Sequence, residues 1–240
     1  MRVVLMYKNF IFDLYGTLVD IKTNESRKAF WEKLALFYSY NGAAYNYSEL
    51  KKTYLKEVKE ELKANTKTKY PDIRLSLVFE KLYENKGVKA DKETVNQTMK
   101  LFRVLSVDYI RLYPGVIELL KELKSKDRKV FMLSNGQREF TVPELKLLGI
   151  YNYFDGLYSS SDIEICKPDK AFFDYLIEKE RLNRQETIFI GNDDKCDAEG
   201  SAAASLDCVY IHSNLSRNVT EVNSKYQIWD GDVNKIINYI

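Results

Sequence analysis

Four short clusters hold the residues that could do chemistry. Asp13-Leu14-Tyr15-Gly16-Thr17 follows the apolar run KNFIF, and an acid leaving a strand into a glycine turn can offer its carboxylate to a ligand. Taken alone, this is equally an ordinary strand-end turn. Leu133-Ser134-Asn135-Gly136 closes the run KVFML; a hydroxyl with consecutive N–H groups can hold an anionic oxygen, although Ser-Asn and Asn-Gly are also common turn pairs. In Lys167-Pro168-Asp169 a lysine stands just before the proline of a helix start, which aims an ammonium at a phosphoryl or carboxylate group. By itself that tripeptide is more often a solvated lysine. Finally, Gly191-Asn192-Asp193-Asp194-Lys195-Cys196-Asp197 sets three carboxylates within five residues. They repel one another unless a cation sits among them, and hard oxygen ligands suit Mg²⁺. An Asx-rich helix cap is the alternative, and it leaves the number of acids unexplained.

The elements that must position these clusters are legible in the apolar pattern. KNFIF, KVFML, GLYSSS, TIFI and CVYI are short β-branched or aromatic runs, each followed by polar or glycine residues, as buried parallel strands are. Between them Val116, Leu119, Leu120 and Leu123 keep helical spacing after Pro114-Gly115. Phe172 and Leu176 do so after Pro168, and Leu145 and Leu148 run to Gly149. The alternation predicts an α/β fold, a Rossmann-like parallel sheet whose reactive groups gather at the carboxyl ends of its strands. Residues 20–108 differ: Trp31, Leu34, Ala35 and Tyr38 share one helical face, as do Leu50, Tyr54, Val58 and Leu62, and Leu75, Val78, Phe79 and Leu82. The expected organisation is therefore an α/β core of residues 1–19 and 109–240 with an inserted all-helical cap of residues 20–108.

Composition excludes several functions. The chain has 240 residues, 45% of them hydrophobic, enough for a sizeable core. A net charge of +2 with no basic run interleaved with aromatics argues against nucleic acid as a partner. Within residues 21–108, 18 Lys+Arg face 12 Asp+Glu, whereas the remainder holds 19 against 23. A basic cap over an acidic core would draw a small anionic substrate to the cleft; solvated helix faces account for these lysines equally well. Three cysteines without Cys-x-x-Cys spacing suggest neither a disulfide framework nor a thiolate metal site, so a cytoplasmic location is expected. The N-terminal MRVVLMYKNFIF runs straight into Asp13 and reads as a strand rather than a signal peptide. No apolar stretch is long enough to span a membrane. The single histidine, His212, cannot build a multi-histidine zinc site, and no G-x-S-x-G elbow accompanies it. Oligomeric state is open between monomer and homodimer.

In order and spacing, the four clusters together with LYPGV at Leu112–Val116 resemble the haloacid dehalogenase-like hydrolase superfamily, from Phe10 to about Ile211, including the cap inserted after the first motif. The resemblance implies that Asp13 is a nucleophile forming a covalent aspartyl intermediate. Ser134 and the Asn135 amide would hold a transferring oxygen, beside Gly136, and Lys167 would balance charge. Thr17 would brace the loop, and Asp13, the Tyr15 carbonyl, Asp193 and Asp197 would hold Mg²⁺. Arg74, with Lys51 and Lys52, could reach an anionic substrate from the cap.

Tyr15 departs from the phosphatases of the superfamily, which carry an acid–base aspartate there, worth roughly two to four orders of magnitude. A phenol is a poor base at neutral pH. The 2-haloacid dehalogenases have Tyr at this place and Ser-Asn-Gly in the second motif, yet lack the acids kept here at Asp193 and Asp197. The resemblance thus implies a Mg²⁺-dependent phosphohydrolase of a small phosphorylated metabolite. A dehalogenase-type hydrolase and a weakly catalytic binding protein are the alternatives. Asn192, where Gly-Asp is common in the superfamily, could touch the ion through its amide oxygen.

Overall fold

A computed structural model describes residues 7–239. Met1–Met6 of the expected first strand, and residue 240 of the expected core, lie outside the described residues. The chain runs β1 (Asn9–Phe12), β2 (Val19–Thr23), α1 (Lys28–Tyr40), α2 (Tyr47–Ala64), α3 (Leu75–Glu84), α4 (Lys92–Ser106) and β3 (Val107–Leu112). Then come α5 (Val116–Ser125), β4 (Lys129–Ser134), α6 (Arg138–Leu147), β5 (Gly156–Ser159), α7 (Lys170–Lys179), β6 (Thr187–Gly191), α8 (Gly200–Ala203), β7 (Asp207–Ile211) and β8 (Tyr226–Ile228). Six strands form one parallel sheet in the order β5-β4-β1-β6-β7-β8.

The period-2 alternation of strand side chains divides the core into two layers. Phe10, Phe12, Val130, Met132, Ile188, Ile190 and Val209 pack on one face against Leu119, Leu120 and Leu123 of α5. Ile11, Phe131, Leu133, Phe189 and Tyr210 pack on the other against Phe172, Phe173 and Leu176 of α7. With both faces covered, the central strands are continuous apolar runs, and β1 exposes almost nothing. The central position of β1 matters for chemistry: Phe12 is in register with Met132 of β4 and Ile190 of β6. The chain leaving β1 therefore emerges between the ends of those two strands.

Helices α1 to α4 close on their own aromatic core, in which Trp31, Leu34, Tyr38, Leu50, Val78, Phe79, Leu82 and Phe102 are buried. The insertion is not wholly helical. It is joined to the sheet by an antiparallel ribbon in which Val19 pairs with Leu112 and Ile21 with Ile110, two strands too exposed to show in the apolar pattern. Downstream of β6 the chain forms a π-helical turn, Asp194–Glu199, followed by the four residues of α8. No helix of the described residues is long and apolar enough to cross a membrane.

The helical insertion is seated on the sheet by named contacts. Gln137 accepts from the Leu75 N–H at 2.9 Å and donates to the Ile73 carbonyl at 2.8 Å, Ser160 donates to Asp72, and Asn65 donates to the Glu164 carbonyl at 2.7 Å. Phe140 of α6 stacks on Phe102 with ring centroids 6.4 Å apart. Phe102 also meets Phe30, Tyr54 and Phe79 within 5.3 Å, so it is the residue through which the insertion's core reaches the sheet domain. Phe102→Ala should cost about 3–5 kcal/mol, read as a lowered urea midpoint. A loss below about 1 kcal/mol would show that this cluster does not support the fold.

Candidate active site

Register brings the clusters together. Asp13 follows Phe12, with its N–H on the Ile190 carbonyl at 2.9 Å; Ser134 ends β4 and Gly191 ends β6. A cavity of about 200 Å³ opens over these strand ends, lined by Asp13, Tyr15, Ser134, Asn135, Lys167, Asn192, Asp193, Cys196, Asp197 and Leu215.

At its floor the Lys167 ammonium lies 2.7 Å from Asp13 Oδ1 and 2.7 Å from Asp197 Oδ1. All three side chains are 10% exposed or less. Burial works to lower the Lys167 pKa, but the Asp13 and Asp197 carboxylates outweigh it and hold the amine charged. Burial pushes Asp197 up to about 6, with Lys167 opposing: one ammonium between two carboxylates leaves one of them under-compensated. Lysine reaches this place because Asn135 clamps its backbone, accepting from the Lys167 N–H at 2.8 Å and donating to the Lys167 carbonyl at 3.0 Å. Asp197 is drawn against the end of β6, where a Cβ on Gly191 would lie 2.4 Å from its carboxyl carbon.

Ser134 completes the floor. Among the described residues its hydroxyl is buried without a hydrogen-bond partner, a state that costs free energy until an acceptor arrives. In a cavity with Asp13 and Lys167, an anionic ligand oxygen is the partner this hydroxyl fits.

The remaining expected site residues divide. Thr17 is buried, with Oγ1 3.4 Å from Asp13 Oδ2 and 3.3 Å from Asn192 Oδ1, where it ties the first and fourth clusters together. Gly16 adopts φ +88°, and a Cβ there would lie 2.4 Å from the Asn192 amide nitrogen, so only glycine lets that amide in. Asp193 lines the cavity, but its Oδ1 accepts from the N–H groups of Lys195 and Cys196 at 2.9 and 2.6 Å and caps the π turn. Gly136 does not line the cavity: it packs between Thr141 and Tyr15, and its N–H donates to Ser160 Oγ at 2.9 Å. Arg74 is likewise not brought to the site. It pairs with Glu164 at 2.9 Å at the start of α3. Lys51 and Lys52 of α2 are not among the lining residues either.

Two residues absent from the sequence reading hold Tyr15. Its hydroxyl donates to Glu144 Oε2 at 2.5 Å, Arg103 Nε donates to Glu144 Oε1 at 2.6 Å, and the guanidinium lies 5.4 Å from the Tyr15 ring centroid. Burial first and the Glu144 carboxylate second raise the Tyr15 pKa well above the ordinary phenol value, with Arg103 opposing. Tyr15 is therefore a neutral phenol whose proton points at Glu144. Arg103 sits on α4 and Glu144 on α6, far apart in sequence, and only the odd placement of an acid on the apolar face of α6 hinted at it.

The donor set suits a hard cation. Among the lining residues Asp13 and Asp197 supply two carboxylates and Asn192 an amide oxygen, the oxygen types that Mg²⁺ takes. Among the described residues no three His, Cys, Asp or Glu side chains converge closely enough to hold a metal by themselves. Burial, then Asp193 and Asp197, push the Cys196 thiol up to about 12, with Lys167 opposing, which disfavours its thiolate.

Comparison with known proteins places this geometry. A family model described as a haloacid dehalogenase-like hydrolase matches residues 7–205. HAD-hydrolase YfnB of Bacillus subtilis is 26% identical over 62% of this chain and 63% of its own length, so the chain spans under two thirds of that relative. Its magnesium-bound crystal structure superposes with a TM-score of 0.57 at 19% identity, covering 97% of each chain. Pyrimidine 5′-nucleotidase PynA of Streptococcus pneumoniae is 22% identical over 94% of this chain and 92% of its own. (S)-2-haloacid dehalogenase 4A of Burkholderia cepacia is 24% identical over 91% and 92%.

Two outcomes test the site. Arg103→Met leaves the nearly buried Glu144 uncompensated and should cost about 3–5 kcal/mol. Adding Glu144→Gln, which keeps an acceptor for Tyr15, should recover part of that in urea unfolding; simple additivity would sink the coupling. At pH 8, Cys196 in the native protein should react with iodoacetamide roughly a thousandfold more slowly than free cysteine, read by mass spectrometry.

Proposed function

We propose, for a chain that belongs to the haloacid dehalogenase-like hydrolase family and is a hydrolase, that its reaction is Mg²⁺-dependent hydrolysis of a small phosphorylated metabolite through an aspartyl-phosphate on Asp13. One observation carries this reading: the buried, partnerless Ser134 hydroxyl lies in one cavity with Asp13 and the Lys167 ammonium. Those three groups are what a transferring phosphoryl group needs, namely an attacking oxygen, a donor to a non-bridging oxygen and a fixed positive charge.

Asp13 attacks phosphorus, forming the O–P bond as the bond to the leaving oxygen breaks and that oxygen takes a proton from solvent; water then attacks phosphorus of the mixed anhydride, gives its proton to solvent, and releases phosphate and the Asp13 carboxylate. Lys167 holds Asp13 in place before attack and balances charge as it moves onto the phosphoryl oxygens. Ser134 donates to one of those oxygens. Thr17 contacts the Asp13 carboxylate and the Asn192 amide oxygen, tying the turn after β1 to the end of β6. Asp13, Asp197, the Tyr15 carbonyl and the Asn192 amide oxygen would hold Mg²⁺, with Asp193 serving as cap; when bound, the ion would supply charge neutralisation at the phosphoryl group. The helical insertion, residues 20–108, serves as the cap that chooses the substrate, and its basic balance supports attraction of an anion.

Tyr15 favours a second reading. Its proton is directed to Glu144 and its pKa is raised, so it is not an efficient proton shuttle; a halide leaves carbon without one. Aspartyl-ester chemistry on a 2-haloacid is therefore the competing reaction.

A paired assay decides. Phosphate release from an aryl phosphate should require Mg²⁺, stop with chelator, and fall by about three orders of magnitude or more in Asp13→Asn. Halide release from a 2-haloacid that persists with chelator would overturn the phosphohydrolase reading in favour of the second. Tyr15→Asp should raise phosphate turnover by supplying the absent acid–base group.

A further inference from the structure

A second and larger cavity, about 580 Å³, also opens at the carboxyl edge of the sheet. Gly16 and Thr17 line it, whereas Asp13 and Tyr15 line the smaller one, so the turn after β1 is the wall between the two. Its other sides are the end of β7, the segment after β8, and Tyr113-Pro114 before α5.

The chemistry of this lining is specific. Trp229 is 40% exposed, yet its ring is anchored behind by Tyr210 and His212, with centroids 5.3 and 5.6 Å away, and its Nε1 donates to Gln227 at 2.9 Å. That leaves an immobilised indole face on the cavity, with Tyr113 on another wall. Asp230 and Asp232 line it, and among the described lining residues there is no Lys or Arg. Asn214 and Asn234 add amides, the first already accepting from the Tyr113 hydroxyl at 2.6 Å and the second donating to Asp232 Oδ1 at 2.9 Å. Lys235, outside the lining, pairs with Asp230, so Asp232 leaves this wall one net negative charge, which disfavours a phosphate, while the acceptor oxygens suit ligand hydroxyls as donors. A fixed aromatic face suits a flat or chair-shaped ring.

We propose that this cavity is a second ligand site, for an uncharged, hydroxyl-bearing ring compound, either a sugar or a nucleoside without phosphate. Its volume lies within the range of small-molecule sites. A ligand there rests on Gly16-Thr17 and on the segment carrying Ser213, whose N–H donates to Ser216 Oγ at 2.9 Å; Ser216 in turn donates to the Asn192 carbonyl at 3.0 Å. Occupancy is thus in contact with the two segments that hold Asn192.

The test uses uridine and methyl glucoside as probes with the full chain, by calorimetry and tryptophan fluorescence. Trp31 is 2% exposed, so a ligand in this cavity changes the emission of Trp229. Saturable binding of either probe is expected, and the one that binds identifies the source of the ring. Trp229→Ala should weaken it about tenfold or more, and so should Asn234→Leu, each with a urea midpoint measured alongside to show that the variant is folded. Uridine 5′-monophosphate should bind this cavity more weakly than uridine. No saturable binding of either probe at millimolar concentration overturns the proposal. So does binding that both variants leave unchanged, or binding displaced by vanadate, which would place the probe over Asp13.

Discussion

The structure is organised around one buried ammonium. Lys167 holds two carboxylates, Asp13 and Asp197, that come from opposite ends of the chain and would repel one another without it. A buried ion group of this type is tolerable only where geometry is good and the remaining lone pairs are satisfied, and the surroundings supply both. Asn135 fixes the lysine backbone by two hydrogen bonds, the Asp193 N–H donates to Asp197 Oδ2 at 2.9 Å, and Gly191 has no side chain to keep Asp197 away. The residues at the ends of β1, β4 and β6 are therefore constrained as a set rather than one by one.

A second buried charge group links the cap helices to that set. Arg103 of α4 and Glu144 of α6 meet at Tyr15, so the position of α4 over the sheet and the orientation of the tyrosine ring are not independent. The same pairing removes Arg103 from service as an anion receptor, because its charge is matched within the trio. Aromatic packing of Phe102 on Phe140 runs alongside, giving the contact an apolar side that excludes water and strengthens the ion pair.

Sequence and structure agree where local rules decide, and differ where tertiary contacts do. The five core strands and the helices at Val116, Leu145 and Phe172 follow from apolar periodicity, which burial on two sheet faces or one helix face enforces. The β2–β3 ribbon escaped because its exposed pattern carries no apolar signature. Arg74 was expected near substrate on charge alone, and Glu164, distant in sequence, claims it. Gly136 was expected at the ligand, and Ser160 takes its N–H. Glu144 and Arg103 could not be paired from spacing, since nothing local brings two helices separated by two strands and a further helix to the same tyrosine. Asn192 lies against Gly16 because of the left-handed turn there, a backbone feature that the glycine permits but does not announce.

Charge balance ties the cofactor to the substrate. Among the described residues lining the catalytic cavity, Lys167 is the one cation; Arg103 and Arg217 stand outside it, paired with Glu144 and Asp194. With Asp13 and Asp197 ionised, the buried group already carries one excess negative charge. A phosphate monoester at neutral pH adds up to two more, and at the separations of a closed cavity that excess is unfavourable by several kcal/mol even at a moderate effective dielectric. A 2-haloacid adds one, its carboxylate, and the leaving halide carries off the negative charge that Asp13 loses on forming the ester. On the proposed phosphoryl chemistry a bound divalent cation would offset that excess, whereas the haloacid reading has less need of one. Metal dependence and substrate class are, in this site, the same question.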